Sequence, residues 1–310
     1  MFIEQGFKKE NEFWKYLIGS ILVFIASIIG QIPIGLAVVY EVFVNSKPIP
    51  LVDKDLYTMF DSNWLLFLML LSFAFAIFGL YLVVKKIHKQ TFKSIITSRK
   101  KIDWKRFFVA FSIWALISIS LIVISYFSNG SEIELQFNLI PFLILSAIAI
   151  ILIPIQTSTE ELIFRGYLMQ GFYNLSKNKW FPLVMTSVIF GTMHIFNPEV
   201  REMGNIILVY YIGTGFFLGI ITLMDEGTEL ALGFHAANNL ISALLITADY
   251  SVLQTHAIFK DLSKPDVNFE AFTPILFYII LIVVFAKIYK WTNWKEKLIG
   301  KQEEINNEIF

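Results

Sequence analysis

The chain has 310 residues, of which 56% are hydrophobic and 16% are charged, and its formal net charge is zero. Soluble globular proteins carry about 25% charged residues, so this composition excludes a soluble protein and predicts an all-α, polytopic membrane protein. The chain has no cysteine, which excludes disulfides, thiolate zinc sites and cysteine nucleophiles. We expect no nucleic-acid partner.

A helix that crosses a bilayer needs about 20 mainly apolar residues. On this criterion the sequence predicts a single integral-membrane domain, residues 1–310, with about eight spans. The fourth is long enough to extend beyond the membrane core, and the first serves as its own insertion signal, without a cleaved signal peptide. The predicted spans are 17–44, 64–84, 107–127, 139–172, 180–196, 206–224, 229–248 and 272–289.

Positive charge is distributed unevenly between the two sides of the predicted membrane. Most of the 25 Lys and Arg residues fall in the two termini and in the loops after the second and fourth spans. Because cytoplasmic segments carry an excess of Lys and Arg, both termini are predicted to be cytoplasmic. Residues 85–106 hold the densest cluster and are predicted to be a basic interfacial segment that contacts anionic membrane lipids. A specific phosphate or peptide site is the alternative.

Few strongly polar side chains lie within the spans. A charged group there costs about 2.5–3.5 kcal/mol or more, so such groups indicate a functional site. At a rise of about 1.5 Å per residue, those on the fourth, fifth and seventh spans fall at a similar depth, roughly 14–22 Å from the cytoplasmic ends. They are Glu160, Glu161, Arg165, His194, His235 and Asn239.

The spacing of these residues suggests how they are used. Glu160 and Glu161 are about 100° apart on a helix, so both are not expected to point at one spot. Glu161 and Arg165 are four residues apart with the acid first, the favoured order for an ion pair. This leaves Glu160 free to act as a general base. His235 and Asn239 are also four apart and share one helical face.

Two kinds of chemistry fit this set. A carboxylate and a histidine can hold and deprotonate a water, while a second histidine and a carboxamide stabilise an oxyanion, so that an amide is hydrolysed without a covalent intermediate. Alternatively, Glu160, His194 and His235 coordinate zinc with a water in the fourth position. The sequence has neither a His-Glu-x-x-His nor a Gly-x-Ser-x-Gly motif, so a zincin or a serine hydrolase is not indicated.

Three motifs follow one another on successive polar spans: Glu-Glu-x-x-x-Arg at 160–165, Phe-x-x-x-His at 190–194 and His-x-x-x-Asn at 235–239. In this order they resemble the CPBP family, the CAAX-protease and bacteriocin-processing group, also called Abi, which includes the type II CAAX prenyl endopeptidases. The resemblance covers residues 139–248, the predicted core, and no motif position departs from the pattern.

The resemblance implies an intramembrane endopeptidase whose catalytic cavity lies within the bilayer. By residue, Glu160 would activate water and His194 would help to hold it. His235 and Asn239 would form the oxyanion site, and the acid–guanidinium pair would support all four. The substrate would be a membrane-associated peptide or protein: a prenylated CAAX protein, a signalling-peptide precursor and a bacteriocin leader are all compatible.

Three questions stay open at the level of sequence. The family is commonly labelled metalloprotease, but asparagine is a poor zinc ligand, so we favour catalysis without a cofactor and keep zinc as the alternative. A non-catalytic immunity or regulatory membrane protein could use the same cavity to bind a partner. A transporter or channel is a third reading, although the charges cluster at one depth and do not line a path.

Overall fold

The computed structural model describes residues 1–7, 11–128 and 132–301, and these residues are mainly helical. Three short strands and four irregular helical turns complete the secondary structure of this part of the chain. The α-helices, α1 to α12, are Phe13–Phe43, Asp53–Met59, Ser62–Lys86, Trp104–Ser128, Leu139–Glu161, Met169–Ser176, Trp180–Thr192, Pro198–Met203, Leu208–Asp225, Glu229–Leu245, Val267–Ile288 and Trp294–Ile299. The strands, β1 to β3, are Ile133–Leu135, Ile246–Ala248 and Phe259–Asp261.

Each predicted span coincides with a helix, which confirms the all-α membrane class. Six helical stretches in the described residues are long and apolar enough to cross a bilayer. The remaining two predicted spans correspond to α7 and α10, which have 13 and 17 residues. Both are shorter than predicted because α7 ends at Thr192 and because residues 246–248, predicted to be helical, form β2 instead.

Two of the three strands, β1 and β3, lie in loops between predicted spans, and β2 lies at the end of the seventh predicted span. β3 pairs with β1 in antiparallel and with β2 in parallel orientation, so the sheet order is β1-β3-β2. Each strand has only three residues, and such short strands leave no periodic pattern that a sequence could reveal. The sheet ties the loop before α5 to the loop after α10 at one end of the bundle.

Helix packing places α5 and α10 at the centre of the fold. α5 packs against α3 and α10, and α10 also packs against α4 and α9. One apolar cluster includes Trp114 of α4, Phe217 of α9 and Phe234 of α10, while another joins Leu66 of α3 to Ala149 of α5. The polar residues of α5 and α10 therefore face a common interior.

The close approach of α7 and α9 depends on glycine, a small residue that lets membrane helices pack closely. A Cβ on Gly215 would lie 2.7 Å from the carbonyl oxygen of Ser187, and a Cβ on Gly219 would lie 2.5 Å from Cδ1 of Leu183. Gly215 and Gly219 are one turn apart on α9, as Leu183 and Ser187 are on α7. The two helices are thus in close contact at two successive turns, where each glycine of α9 packs against one residue of α7.

Replacing Gly215 with Ala is therefore expected to destabilise the protein by about 1–3 kcal/mol, because the new methyl group meets backbone atoms that cannot move aside. Thermal unfolding in detergent measures the effect. Gly35→Ala on α1 is the matched control, since a Cβ there meets nothing within 4 Å. Equal melting temperatures for the two variants would contradict this account of the α7–α9 contact.

The basic segment 85–106 is partly folded into the protein. Arg99 pairs with Asp225 at 2.8 Å and with Glu229 at 3.0 Å, and Arg106 pairs with Asp225 at 2.8 Å. Glu229 lies in the first turn of α10, so these ion pairs fix the start of that helix. The interfacial role of the segment stays a prediction, but two of its arginines serve the connection between α9 and α10.

Candidate active site

The centre of the site is the end of α5 and the wide turn that follows it. Residues Leu162–Leu168 form a π-helical segment that continues α5 into α6. Such segments are rare and are frequent at functional sites. Gly166 allows the segment to lie against the backbone of Ile95, because a Cβ there would come 2.4 Å from the Ile95 carbonyl oxygen. The sequence shows only an apolar helical pattern here.

Glu161 and Arg165 form the ion pair that their spacing predicted. Arg165 Nη1 donates to Glu161 Oε1 at 3.1 Å, and both side chains are completely buried. Arg165 also donates to the carbonyl oxygen of Gly215 at 3.3 Å, and its guanidinium lies over the ring of Phe190 at 4.2 Å. The cation thus connects α5, α7 and α9 at one buried point.

His235 contacts both glutamates, which differs from the expectation that they diverge. Its Nδ1 lies 2.8 Å from Glu161 Oε1, and its Nε2 lies 3.7 Å from Glu160 Oε2. The two ring nitrogens point in different directions, so one imidazole meets two carboxylates that are 100° apart on their helix. The predicted scheme paired Glu160 with His194, and that pairing stays a prediction. The structure adds that the His235 imidazole lies beside Glu160 Oε2.

The hydrogen bonds determine which ring nitrogens are free. An ionised carboxylate only accepts, so His235 donates its Nδ1–H to Glu161, and in the neutral ring Nε2 carries a lone pair. His194 Nδ1 lies 2.7 Å from the carbonyl oxygen of Phe190, which also only accepts. Both imidazoles therefore present Nε2 for a water, a proton or a metal ion.

His194 lies in the turn after α7 and not within a long fifth helix. Its ring stacks on Tyr211 with centroids 4.1 Å apart and planes inclined by 18°, and Asn197 donates to the Tyr211 hydroxyl at 3.3 Å. The Phe190 ring is 4.9 Å from His194 and 6.2 Å from His235, measured between centroids. Phe190, the first residue of the second motif, is thus the common neighbour of the two histidines.

Asn239 reaches Glu160 through a residue that the motifs do not contain. Asn239 Nδ2 donates to Gln156 Oε1 at 3.0 Å, and Gln156 Nε2 donates to Glu160 Oε1. Gln156 precedes Glu160 by one helical turn. It is a polar residue inside an apolar span, and this was the feature of the sequence that could have identified it as part of the site. The structure thus brings Glu160, Glu161 and Asn239 into one polar cluster with His235 and Gln156.

Exposure separates the two acids. The Glu161 side chain is fully buried, whereas the Glu160 side chain is 18% exposed and that of His235 is 8% exposed. Glu160 is therefore the carboxylate that water and substrate can approach. Within residues 1–7, 11–128 and 132–301, no three His, Asp or Glu side chains are arranged so as to hold a metal ion.

The other two histidines have structural roles. His88 is buried between the side chains of Asn11, 3.2 Å away, and Tyr167, 2.9 Å away. Burial, with a smaller contribution from the positive charge of Lys15, lowers the pKa of His88 to about 4, so the ring is neutral at physiological pH. Because Tyr167 belongs to the π-helical segment, His88 helps to fix that segment. His256 contacts Asp61 at 3.0 Å at the surface.

Together, the fold and this cluster define a polytopic helical membrane protein with a buried Glu–His site. The model of the type II CAAX prenyl endopeptidase Rce1-like family matches residues 135–241, which include all three motifs. The chain is also 33% identical over 288 residues to YyaK, an uncharacterized protein of Bacillus subtilis (strain 168), a match that covers 93% of this chain and 94% of YyaK. No solved structure matches the chain.

The chain belongs to the Rce1-like family of type II CAAX prenyl endopeptidases, and it is an integral membrane protein. Family membership supports a protease role in general. The bacterial relative is uncharacterized, so the roles of individual residues rest on the geometry described above.

Proposed function

We propose that this protein is an intramembrane endopeptidase that hydrolyses a peptide bond of a membrane-associated peptide or protein by means of a water activated by Glu160. The observation that supports this most directly is the different environment of the two Glu160 oxygens. Oε1 accepts from Gln156, whereas Oε2 faces His235 Nε2 at 3.7 Å. That separation is too long for a direct hydrogen bond but suits a water that contacts both atoms.

In the proposed reaction, the water oxygen attacks the carbonyl carbon of the scissile bond while Glu160 accepts its proton. The carbonyl becomes an oxyanion, which needs hydrogen-bond donors. Asn239 has a second N–H besides the one bound to Gln156. Glu160 then passes its proton to the amine as the C–N bond breaks, which gives a carboxylic acid and an amine. His194 Nδ1 lies 2.7 Å from the Phe190 carbonyl oxygen, which leaves its Nε2 to help hold the water.

His235 is the second group of the proposed oxyanion site. Its Nδ1–H is bound by Glu161, and its Nε2 lies beside Glu160 Oε2, where it would stabilise the oxyanion together with Asn239.

The test is cleavage by purified protein of a library of membrane-associated peptides, with mass spectrometry of the products. Reaction in ¹⁸O-water is expected to place one ¹⁸O in the new carboxyl group, and quenched single turnovers are expected to show no covalent peptide adduct. His194→Ala should reduce the rate. A trapped adduct would contradict direct attack by water, and unchanged cleavage by the variant would remove His194 from the site.

A zinc-dependent version of the same protease is the second candidate. Each histidine donates its Nδ1–H to an oxygen acceptor, the arrangement that commonly orients zinc-bound histidines. Glu160, His194 and His235 would hold the ion, which would polarise the carbonyl and activate the water. These donors suit zinc chemically, although they do not converge as a metal site among the described residues.

Metal removal distinguishes the two versions. We expect dialysis against 1,10-phenanthroline to leave the cleavage rate unchanged within about twofold, because the proton acceptor is a carboxylate that needs no metal. Elemental analysis of the active protein should find much less than one zinc per chain. Loss of activity that added zinc restores would establish the second candidate.

We also infer that both termini face the cytoplasm and that the basic segment 85–106 meets anionic lipids. The supporting observation is the asymmetric distribution of Lys and Arg. The site then lies within the bilayer, where a membrane-attached peptide can reach it from the side. A prenylated CAAX protein, a signalling-peptide precursor and a bacteriocin leader remain the candidate substrates.

A further inference from the structure

A chain of buried and half-buried side chains connects α4 with the carboxylate of Glu160. Trp114 Nε1 donates to Asn238 Oδ1 at 3.0 Å, and Asn238 Nδ2 donates to Asn239 Oδ1 at 3.1 Å. Asn239 Nδ2 then donates to Gln156 Oε1 at 3.0 Å, and Gln156 Nε2 donates to Glu160 Oε1. We call the three carboxamides between the indole and the carboxylate the amide chain.

The direction of the amide chain is determined at both ends. An indole N–H can only donate, so Asn238 must turn its oxygen towards Trp114 and its nitrogen towards Asn239. An ionised carboxylate can only accept, so Gln156 must turn its nitrogen towards Glu160 and its oxygen towards Asn239. Both requirements assign the same orientation to Asn239. No amide can be reversed without breaking a bond at one end.

This fixed direction has an electrostatic consequence. All three amides present their N–H groups on the side that leads to Glu160, and hydrogen bonds arranged in series polarise one another. Gln156 and Trp114 are buried and the two asparagines are half-buried among apolar helices, so few water molecules compete for these bonds. Gln156 is 9% exposed, so its carboxamide is committed to these two bonds. Gln156 therefore takes one acceptor position of Glu160 Oε1, whereas no side chain lies within hydrogen-bond distance of Oε2 among the described residues.

We propose that Gln156 is a positioning residue, which holds Glu160 Oε1 at the end of the amide chain and thereby leaves Oε2 as the oxygen that meets the water. This inference rests on the proposed function, in which Glu160 is the base. It assigns Asn239 two tasks, because one N–H binds Gln156 and the other is left for the oxyanion. It also gives Trp114 a remote part, since its indole N–H sets the direction of the chain.

The first experiment compares Gln156→Leu with wild type in a cleavage assay. Leucine has a similar size but neither donates nor accepts, so Glu160 loses its support while α5 keeps its packing. We expect kcat to fall by about tenfold to a hundredfold, as for a displaced catalytic group, with KM changed less than twofold. Thr157→Val is the matched control, because the buried Thr157 hydroxyl bonds only to carbonyls of its own helix.

A purely structural role for Gln156 predicts another result. The melting temperature and KM would then change and kcat would not, and this outcome would overturn the proposal. Trp114→Phe extends the test, since phenylalanine keeps the aromatic packing and removes the N–H. We expect kcat to fall severalfold with KM unchanged, while Trp104→Phe, an exposed site on the same helix, leaves kcat unchanged. Equal kcat for both tryptophan variants would show that the chain does not extend to α4.

A spectroscopic readout separates this proposal from the proposed function. In ¹⁵N-labelled protein, the indole N–H resonance of Trp114 is identified by its loss in Trp114→Phe. We expect it to shift in Asn238→Leu and also, through two amides, in Gln156→Leu, but not in Thr157→Val. A resonance unmoved in Gln156→Leu would overturn the amide chain whatever the activity. If the resonance moves but Glu160→Gln still cleaves, the chain exists and the proposed function fails.

Discussion

Replacing Glu160 with Gln is expected to lower kcat for peptide cleavage by about 10²–10⁴-fold, the usual contribution of a general base. Glutamine has the same shape and can still accept from Gln156, but it cannot take a proton from water. Because Glu160 is partly exposed and pairs with no Lys or Arg within the described part of the chain, the melting temperature should change little. Initial rates and thermal unfolding, measured on the same preparation, test both statements.

Glu199→Gln serves as the control for this variant. Glu199 is a largely buried carboxylate of α8 that accepts from the backbone of Val252 at 2.8 Å, outside the site, so its replacement should leave cleavage unchanged. Wild-type rates for Glu160→Gln would end the peptidase proposal. If Glu160→Gln restores the phenotype of a strain that lacks the protein as well as wild type does, a non-catalytic immunity or regulatory function is favoured instead. Ion flux through the purified protein in proteoliposomes would support a transporter or channel function.

Replacing Arg165 with Met is expected to produce the largest loss of stability, about 3–5 kcal/mol, since breaking a buried ion pair leaves an uncompensated charge. Among the described residues, Glu161 would remain fully buried with His235 as its one hydrogen-bond partner, and its Oε2 already has none there. The carbonyl oxygen of Gly215 would also lose its donor. Thermal unfolding in detergent should show the decrease.

The double variant Arg165→Met/Glu161→Gln tests the cause. If the cost comes from the unpaired carboxylate, removing its charge should recover much of the melting temperature, as replacements of whole buried ion pairs often do. Cleavage is not expected to recover, because glutamine at 161 no longer enforces the proton position on His235. A double variant as unstable as Arg165→Met would show that the guanidinium acts mainly by packing against Phe190.

Much of the site could be predicted from the sequence because membrane spans contain few polar groups. Charged residues in lipid are costly, so Glu160 and Glu161 were conspicuous, and helical spacing was enough to pair Glu161 with Arg165. For the same reason, each of the eight spans predicted from hydropathy coincides with a helix, and six of the described helical stretches are long enough to cross a bilayer. Periodicity along one helix is a local property, and it can be read without knowledge of the fold.

The features that escaped prediction depend on contacts between distant parts of the chain. His235 contacts both glutamates, and Asn239 binds Gln156, only because α10 packs against α5. The π-helical turn after Glu161 likewise has no pattern in the local sequence. The ion pairs of Arg99 with Asp225 and Glu229 join residues more than 120 positions apart, and a basic cluster in sequence resembles any lipid-facing segment. The three short strands carry no pattern of their own.

The short length of α7 affects how water can reach the candidate site. At about 1.5 Å per residue its 13 residues extend only about 20 Å, well short of a hydrocarbon core of about 30 Å. The turn that follows exposes Met193 and Phe196, at 65% and 85%, so lipid tails or a substrate's apolar part must cover them. A short helix thins the adjacent leaflet, which brings the aqueous phase closer to His194. In the proposed reaction each bond cleaved consumes a water molecule, and we expect the short helix to ease its access to the site.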